Sequence, residues 1–133
     1  KYNYTYVITN ILTNEYYYGC HQTNSLSDDY FGSGVLLKES IEYHRNRYSH
    51  TKECAENPHF PFTMDWLENY PTRKEMLLAE KSLITTTVLE DFRNLNLIPG
   101  GSLHRKSAFA LAAKYRAIKY ENYILHLKNT SPQ

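Results

Sequence analysis

The sequence predicts an α+β domain in which helices flank a small, mainly antiparallel sheet of three strands, with a further helix at the C-terminus. Three observations support this fold class. Runs of β-branched and aromatic residues at positions 4–10, 16–19 and 60–70 favour strands. Apolar residues recur at helical spacing over positions 36–48 and again over 72–86. A long stretch rich in Ala, Leu, Tyr and Lys, from His104 to Lys128, is typical of a helix.

The first two strands are predicted to form an antiparallel hairpin. Tyr4–Asn10 and Tyr16–Gly19 are joined by a short segment whose centre, Thr13-Asn14, favours a turn. A hairpin places Tyr6 and Tyr17 on neighbouring strands, and the sequence leaves their register open.

A polar loop then leads into the first helix. Residues 20–34 end in Gly32-Ser33-Gly34, and glycines of this kind favour a loop. The helix is predicted from Leu36 to Tyr48, with Ser33 as its N-cap. Residues 50–61 are predicted to form a second loop, closed by prolines.

The next helix carries a carboxylate in its apolar stripe. Thr72-Arg73-Lys74-Glu75 matches a capping box, and the helix is predicted to run to about Thr86. Glu80 lies between Met76 and Ile84, where a carboxylate must be neutralised, paired or bound to a cation. Two interpretations stay open at this point: a glutamate at the rim of the core, paired with a lysine or tyrosine, or a metal ligand.

The hairpin and the loop after it resemble the GIY-YIG nucleases. Thr5-Tyr6 stands where that family has Ile-Tyr, Tyr17-Tyr18-Gly19 stands where it has Tyr-Ile-Gly, and Tyr4 replaces its first glycine. The loop adds Gly-x-His-x-Thr and aromatic-Phe-Gly-Ser-Gly, which are similar to the phage-type branch related to homing endonucleases. The matching residues of the loop motifs are Gly19, His21, Thr23, Gly32, Ser33 and Gly34.

This resemblance implies a DNA endonuclease that depends on Mg²⁺ or Mn²⁺. Glu80 matches the essential metal-binding glutamate that the family carries on the helix after the third strand. Tyr6 is implied as the preferred general base, Tyr17 as a residue that positions phosphate or water, and Gly19 as a structural residue. Asn96 opens an Asn-Leu-x-Pro-Gly-Gly pattern, which the family interpretation places beside the glutamate as a hydrogen-bond support; the alternative is an ordinary turn.

The sequence departs from the family at one position that matters. No arginine stands in the first turn of the helix after the hairpin, where the family binds the scissile phosphate. Lys38 occupies roughly that turn and would act on phosphate as a point charge. His21 is a second candidate, as a donor to phosphate or as a partner in the base role, and Arg45 and Arg47 lie further along the helix. The departure leaves open a weakly active or inactive protein.

Residues 1–101 are assigned to the nuclease-like domain, and residues 102–133 to a basic helix that packs on this domain or extends it. The basic side of this helix either contacts DNA phosphates or is simply solvated. The residues predicted to contact DNA are Lys38, Arg45, Arg47, Arg105, Lys106 and Lys114.

Composition restricts the partners and the location. The net charge is only +1 at pH 7, so contact with DNA must come from a local patch. Two cysteines give no disulfide framework, and no apolar run is long enough to span a membrane. The expected location is the cytoplasm, that of the host cell if a phage encodes the chain. The histidines and the cysteine at positions 44, 50, 54 and 59 match no common zinc pattern.

The first functional hypothesis is therefore a metal-dependent DNA endonuclease related to phages or mobile elements. The alternative is a nucleic-acid-binding module that retains the GIY-YIG fold without cleavage. A third hypothesis is a protein-binding domain without DNA affinity. The sequence leaves open whether one or both DNA strands are cut, which DNA is preferred, whether a homodimer forms, and whether the chain is a fragment.

Overall fold

The computed structural model describes residues 1–101, 103 and 105–130. The elements in chain order are β1 (Tyr2–Asn10), β2 (Tyr16–Thr23), α1 (Val35–Tyr48), α2 (Lys52–Glu56), β3 (Phe62–Tyr70), α3 (Arg73–Leu83), α4 (Thr86–Glu90) and α5 (Arg105–Thr130). The strands form one antiparallel sheet in the order β2-β1-β3, which confirms the predicted α+β class with three strands. The predicted start of the last helix, His104, lies outside the described residues.

The hairpin between β1 and β2 forms where the sequence predicts it. Asn10 Oδ1 accepts hydrogen bonds from the amides of Leu12 and Thr13 at 2.9 and 3.1 Å. Asn14 adopts the left-handed conformation, with φ at 65°. Asparagine suits both tasks, because its side chain mimics a turn and it tolerates positive φ. The turn therefore fixes how the two strands pair.

Two predicted loops contain regular structure. β2 continues past Gly19, because residues 20–23 pair with residues 2–5 of β1. The short helix α2 interrupts the predicted loop 50–61, and Thr51 caps it by accepting from the Cys54 amide. The predicted N-cap at Ser33 is wrong: α1 is preceded by Gly34, which has no side chain to supply a cap.

The predicted helix after β3 is divided in two. It begins as expected, because Thr72 Oγ1 accepts from the Glu75 amide at 3.2 Å. Ile84 leaves the helical region, with φ −95° and ψ 76°. Thr85 then caps the separate helix α4 through the Val88 amide at 3.2 Å. The break lies one helical turn after Glu80, and the chain then returns to the sheet, where Asn94 pairs with Tyr16.

Two clusters of buried side chains lie on opposite faces of the sheet. Neighbouring residues of a strand point to opposite faces, so Tyr17 packs on the first cluster and Tyr18 on the second. The first cluster consists of Tyr4, Tyr6, Ile8, Leu37, Phe62 and Leu95. The second cluster consists of Ile84, Leu89 and Tyr115.

The long helix α5 is fastened to α4 and to the segment after it. Lys119 Nζ donates to the carbonyl oxygen of Asp91 at 3.1 Å and to Asn94 Oδ1 at 3.2 Å. Asn122 Nδ2 donates to the carbonyl oxygen of Glu90 at 2.7 Å. One side of the helix thus packs against the rest of the chain. Among the described residues, no helix is long and apolar enough to cross a lipid bilayer.

The buried ammonium of Lys119 predicts a specific pH dependence of stability. Burial lowers the pKa of Lys119 to about 8, although the nearby Asp91 opposes the shift. Between that pKa and the ordinary lysine value, the unfolded chain binds more protons, so this group adds stability as pH rises. The free energy of unfolding of the wild type relative to that of a Lys119→Met variant should therefore increase by about 1–3 kcal/mol from pH 7 to pH 10.

Urea unfolding at each pH measures this difference. Subtracting the variant from the wild type removes the contribution of Cys20, whose raised pKa acts in the opposite direction. Lys114→Met is the control, because Lys114 is exposed on the same helix. An equal pH dependence in wild type and Lys119→Met would contradict the prediction.

Candidate active site

Two tyrosines from neighbouring strands define the centre of the candidate site. The register pairs Tyr6 with Gly19 and Ile8 with Tyr17. The ring centroids of Tyr6 and Tyr17 are 6.3 Å apart. A Cβ at Gly19 would overlap the hydroxyl and Cζ of Tyr6, so only glycine leaves room for this ring. The structural role that the resemblance implies for Gly19 thus has a geometric basis.

Glu80 approaches the two tyrosines from α3. Its Oε1 accepts a hydrogen bond from the Gly101 amide at 2.9 Å. Gly101 has φ at +84°, a conformation that favours glycine. A Cβ at Gly100 would lie 2.7 Å from the carbonyl carbon of Glu80, so this loop packs directly on α3. Among the described residues, the partners of the half-buried carboxylate are a backbone amide and, as shown below, a thiol, and they include no lysine or tyrosine.

Burial and nearby negative charge raise the pKa of both phenols. For Tyr6 burial is the largest cause, followed by Tyr17, Tyr30 and the charge of Glu80. For Tyr17 burial raises the pKa to about 12, Glu80 adds to the rise, and a hydrogen bond with Ser33 opposes it. The charge of Glu80 acts on both groups, so the carboxylate lies within electrostatic range of the two phenols. Near pH 7 both phenols are protonated and can donate hydrogen bonds.

A second set of side chains connects His21 to Tyr6. His21 Nε2 lies 2.7 Å from Asp28 Oδ2. The His21 ring stacks on Tyr30 with centroids 3.6 Å apart, and the Tyr30 hydroxyl lies 3.0 Å from that of Tyr6. The hydrogen bond with His21 is the main cause of the lowered pKa of Asp28. Asp28 therefore holds the His21 ring in place against Tyr30.

Three residues of the site are absent from the sequence prediction. The thiol of Cys20 is hydrogen-bonded to Glu80. Burial is the main cause that raises the pKa of Cys20, to about 12, and the charge of Glu80 adds to the rise. The positive charge of Arg73 opposes it. Tyr30 is the aromatic residue of the aromatic-Phe-Gly-Ser-Gly motif, so the sequence contained a pattern that could have identified it as a site residue. Arg73 precedes Glu80 by seven residues, two helical turns, which places both on one side of α3. Cys20 offered no signal, since its contact depends on how α3 packs on β2.

Asn96 has a different role from the one the resemblance implies. Its Oδ1 accepts from the Tyr18 amide at 2.9 Å, and its Nδ2 donates to the Tyr18 carbonyl oxygen at 2.8 Å. A further bond joins Asn96 to Asn94. Among the described residues, Glu80 is not one of its hydrogen-bond partners. The predicted support of Glu80 by Asn96 is therefore corrected: this side chain supports β2, and Gly101 supports Glu80.

The candidate replacements for the family arginine lie at different distances from the tyrosines. Lys38 and Arg45 line one cavity of about 310 Å³ together with Gly32. A Cβ at Gly32 would lie 3.6 Å from the Tyr6 hydroxyl, so this cavity borders the site. Arg47 instead donates to the Tyr43 hydroxyl at 3.4 Å, on the exposed side of α1. The structure thus brings Lys38 and Arg45 towards the site and separates Arg47 from it.

The basic residues of α5 also differ in how close they lie to the tyrosines. Arg105 lines a cavity of about 330 Å³ together with Tyr17 and Ser33, beside the site. Lys106 is exposed in the first turn of the helix. Lys114 Nζ lies 5.2 Å from the ring centroid of Tyr115, further along the helix. Arg105 is therefore a basic residue of α5 that lies beside Tyr17.

The donor set limits which metal the site could hold. The described residues contain no group of three or more His, Cys, Asp or Glu arranged to bind a metal. The histidines near Cys54 are among the residues that this statement covers. A single carboxylate suits Mg²⁺, which keeps several waters and takes phosphate oxygens as further ligands. The residues around Glu80 thus fit a cation that is bound mainly through water and substrate.

Comparison with known proteins connects the chain to phage endonucleases. It is 35% identical over 114 residues to endonuclease segA of Enterobacteria phage T4, covering 86% of this chain and 46% of that protein. It is 36% identical over 134 residues to putative endonuclease segB of the same phage, covering 92% of this chain and 55% of that protein. The putative endonucleases segE and segC of this phage are 29% and 31% identical. The chain spans about half the length of the curated relatives it matches.

No family model matches the chain, and no solved structure matches it.

Proposed function

We propose that this chain carries the catalytic chemistry of a DNA endonuclease of the GIY-YIG type. The observation that carries the proposal is the position of Glu80, whose charge acts on both Tyr6 and Tyr17 across a glycine-lined site. The relatives named as endonucleases support the same reaction class. A phage enzyme of this kind would meet its DNA in the cytoplasm of the host cell.

Mg²⁺ or Mn²⁺ is the cofactor of this proposal, with Glu80 as its protein ligand. When bound, such an ion supplies positive charge that stabilises the transition state and orients the phosphate oxygens. Gly101 holds one oxygen of Glu80 by its amide, so the carboxylate keeps its orientation before any cation binds. Such preorganisation of a ligand is what a single-carboxylate site requires.

The remaining groups would position the scissile phosphate. The hydroxyl of Tyr17 donates to a phosphate oxygen or to the attacking water, which its protonated state near pH 7 permits. Lys38 and Arg45 supply positive charge from the cavity beside Gly32. This pair replaces the missing family arginine, although a lysine contributes a point charge without the bidentate geometry of arginine.

The proton of the attacking water needs an acceptor. The water oxygen forms a bond to phosphorus, the bond to the leaving oxygen breaks, and a base takes the proton. Tyr6 can act as this base only when a cation offsets the burial that raises its pKa. His21 is an imidazole held by a contact with Asp28, and imidazole is a common proton acceptor in catalysis. We therefore place His21 beside Tyr6 as a candidate base; full cleavage by a Tyr6→Phe protein would exclude Tyr6.

Conversion of supercoiled plasmid tests the proposed function. The wild-type chain should nick or linearise plasmid with Mg²⁺ or Mn²⁺ and should do neither with EDTA. Gel electrophoresis at several times separates nicking from double-strand cleavage. Plasmid that is bound but left intact with every divalent cation would favour the non-cleaving DNA-binding module. Absence of binding even at low salt would favour a protein-binding domain.

A further inference from the structure

A basic cavity lies beside Glu80 and has no role in the chemistry described above. It measures about 540 Å³ and is formed by one side of α3 and the segment around Gly101. Its charged lining residues are Arg73, Lys74 and Lys81, and none of the described residues that line it is acidic. On a chain with a net charge of only +1, a concave surface with three cations is a local concentration of positive charge.

The floor of this cavity is apolar. Leu77 and Leu78 come from α3, and Leu103 faces them from the segment before α5. Leu78 is 57% exposed and Leu103 is 39% exposed, so solvent reaches these side chains. A ligand that combines negative charge with apolar surface would cover the floor and neutralise the rim. The sugar-phosphate backbone of DNA has both properties, because each phosphate is joined to a deoxyribose.

The spacing of the cations suits a DNA strand. Arg73, Leu77 and Lys81 follow each other at four-residue intervals and so form one row along the helix. Eight residues of α-helix extend roughly 12 Å at a rise of about 1.5 Å per residue. One strand of B-DNA rises about 3.4 Å per nucleotide, so this row spans three to four nucleotides. The two ends of the row can therefore contact different phosphates of one strand.

The position of the row links it to the candidate active site. Lys81 adjoins Glu80 in the chain, and Gly101 both lines the cavity and donates to Glu80. The positive charge of Arg73 also lowers the pKa of Cys20, the residue that is hydrogen-bonded to Glu80. A strand that follows the row is thus led directly to Glu80.

We infer that this cavity binds the DNA backbone next to the scissile phosphate, through Arg73, Lys74 and Lys81 over the leucine floor. The inference rests on the proposed function for its substrate, and it names the surface that guides DNA to the site. None of these three residues belongs to the predicted DNA-contacting set. Their contribution is to affinity and its salt dependence, since phosphate contacts position a duplex without reading its sequence.

The test measures DNA binding apart from cleavage. Affinity for a fluorescent duplex is determined by anisotropy over a range of KCl concentrations, in a Glu80→Gln background and with EDTA, so that no substrate is cut. The logarithm of the binding constant falls with the logarithm of salt concentration by about 0.9 per phosphate contact. A Lys74→Gln/Lys81→Gln double variant should reduce this slope by about 2 and weaken binding at low salt.

The control carries the same change of charge elsewhere. Lys52 and Lys128 are exposed on α2 and at the end of α5, and their replacement by Gln should leave the slope nearly unchanged. Arg73→Gln gives a third measurement, with an expected reduction of about 1. Thermal unfolding of each variant shows that the fold is retained.

The outcomes separate the inference from the proposed function. If the binding constant of the Lys74→Gln/Lys81→Gln variant depends on salt as steeply as that of the wild type, the inference is overturned, even if the wild type cleaves plasmid. A reduced slope in that variant, together with a wild type that never cleaves, supports binding of the DNA backbone in the cavity but rejects the endonuclease and, with it, a place beside a scissile phosphate. Equal slope changes in the double variant and in its control reject a specific role for the cavity.

Discussion

A Glu80→Gln protein should bind duplex DNA and cleave it at least about 1,000-fold more slowly than the wild type. Glutamine retains the shape of the side chain, and its carbonyl oxygen can still accept the hydrogen bond from the Gly101 amide. The variant lacks the negative charge that a divalent cation requires. It also places less negative charge beside the DNA, so its affinity for duplex should equal or exceed that of the wild type.

Single-turnover cleavage of a labelled duplex in saturating Mg²⁺ measures this loss, and anisotropy confirms binding. Glu75→Gln is the matched control, because Glu75 is exposed in the first turn of the same helix. Cleavage by Glu75→Gln should remain near the wild-type rate. If Glu80→Gln cuts at the wild-type rate, Glu80 is not the cation ligand, and the proposed function loses its main observation.

Gly19→Ala should disturb the tyrosine pair and slow cleavage as well. The new methyl group would occupy the position of the Tyr6 hydroxyl and Cζ. Tyr6 is fully buried, so its ring has no open space into which it can move. Overpacking of this kind costs about 1–3 kcal/mol of stability. Displacement of the ring would also break its hydrogen bond with Tyr30, and cleavage should fall by about 100-fold or more.

A double-mutant cycle shows whether the effect acts through Tyr6. Gly19→Ala, Tyr6→Leu and the double variant are compared by urea unfolding and by cleavage. Because leucine leaves space for the new methyl group, the double variant should be more stable than the sum of the single effects implies. The cleavage rate of the double variant should not recover together with its stability. Additive effects on stability would mean that position 19 and the Tyr6 ring are not in contact.

The parts of the site that depend on local chemistry were accessible from the sequence. The hairpin follows from asparagine turn chemistry and from β-branched and aromatic strands. Thr72 and the apolar spacing of α3 placed Glu80 at the edge of the core. The resemblance to GIY-YIG nucleases supplied the grouping of Glu80 with Tyr6 and Tyr17, and this grouping stays a prediction.

The remainder depends on contacts between distant parts of the chain. Nothing near Cys20 or Asn96 in the sequence reveals that one meets Glu80 and the other holds Tyr18. The break at Ile84 was hidden because the apolar spacing of α3 continues through it. Lys119 resembles any lysine on a helix, and its buried position depends on the Asp91 carbonyl oxygen just after α4 and on Asn94 Oδ1, which accept its hydrogen bonds.

The amide of Gly101 gives the carboxylate of Glu80 an anchor without a side chain. A peptide N–H carries no net charge and neither gains nor loses a proton near neutral pH. A lysine in its place would neutralise the carboxylate and compete with a cation for it. The backbone therefore orients the Glu80 carboxylate and leaves its negative charge in place.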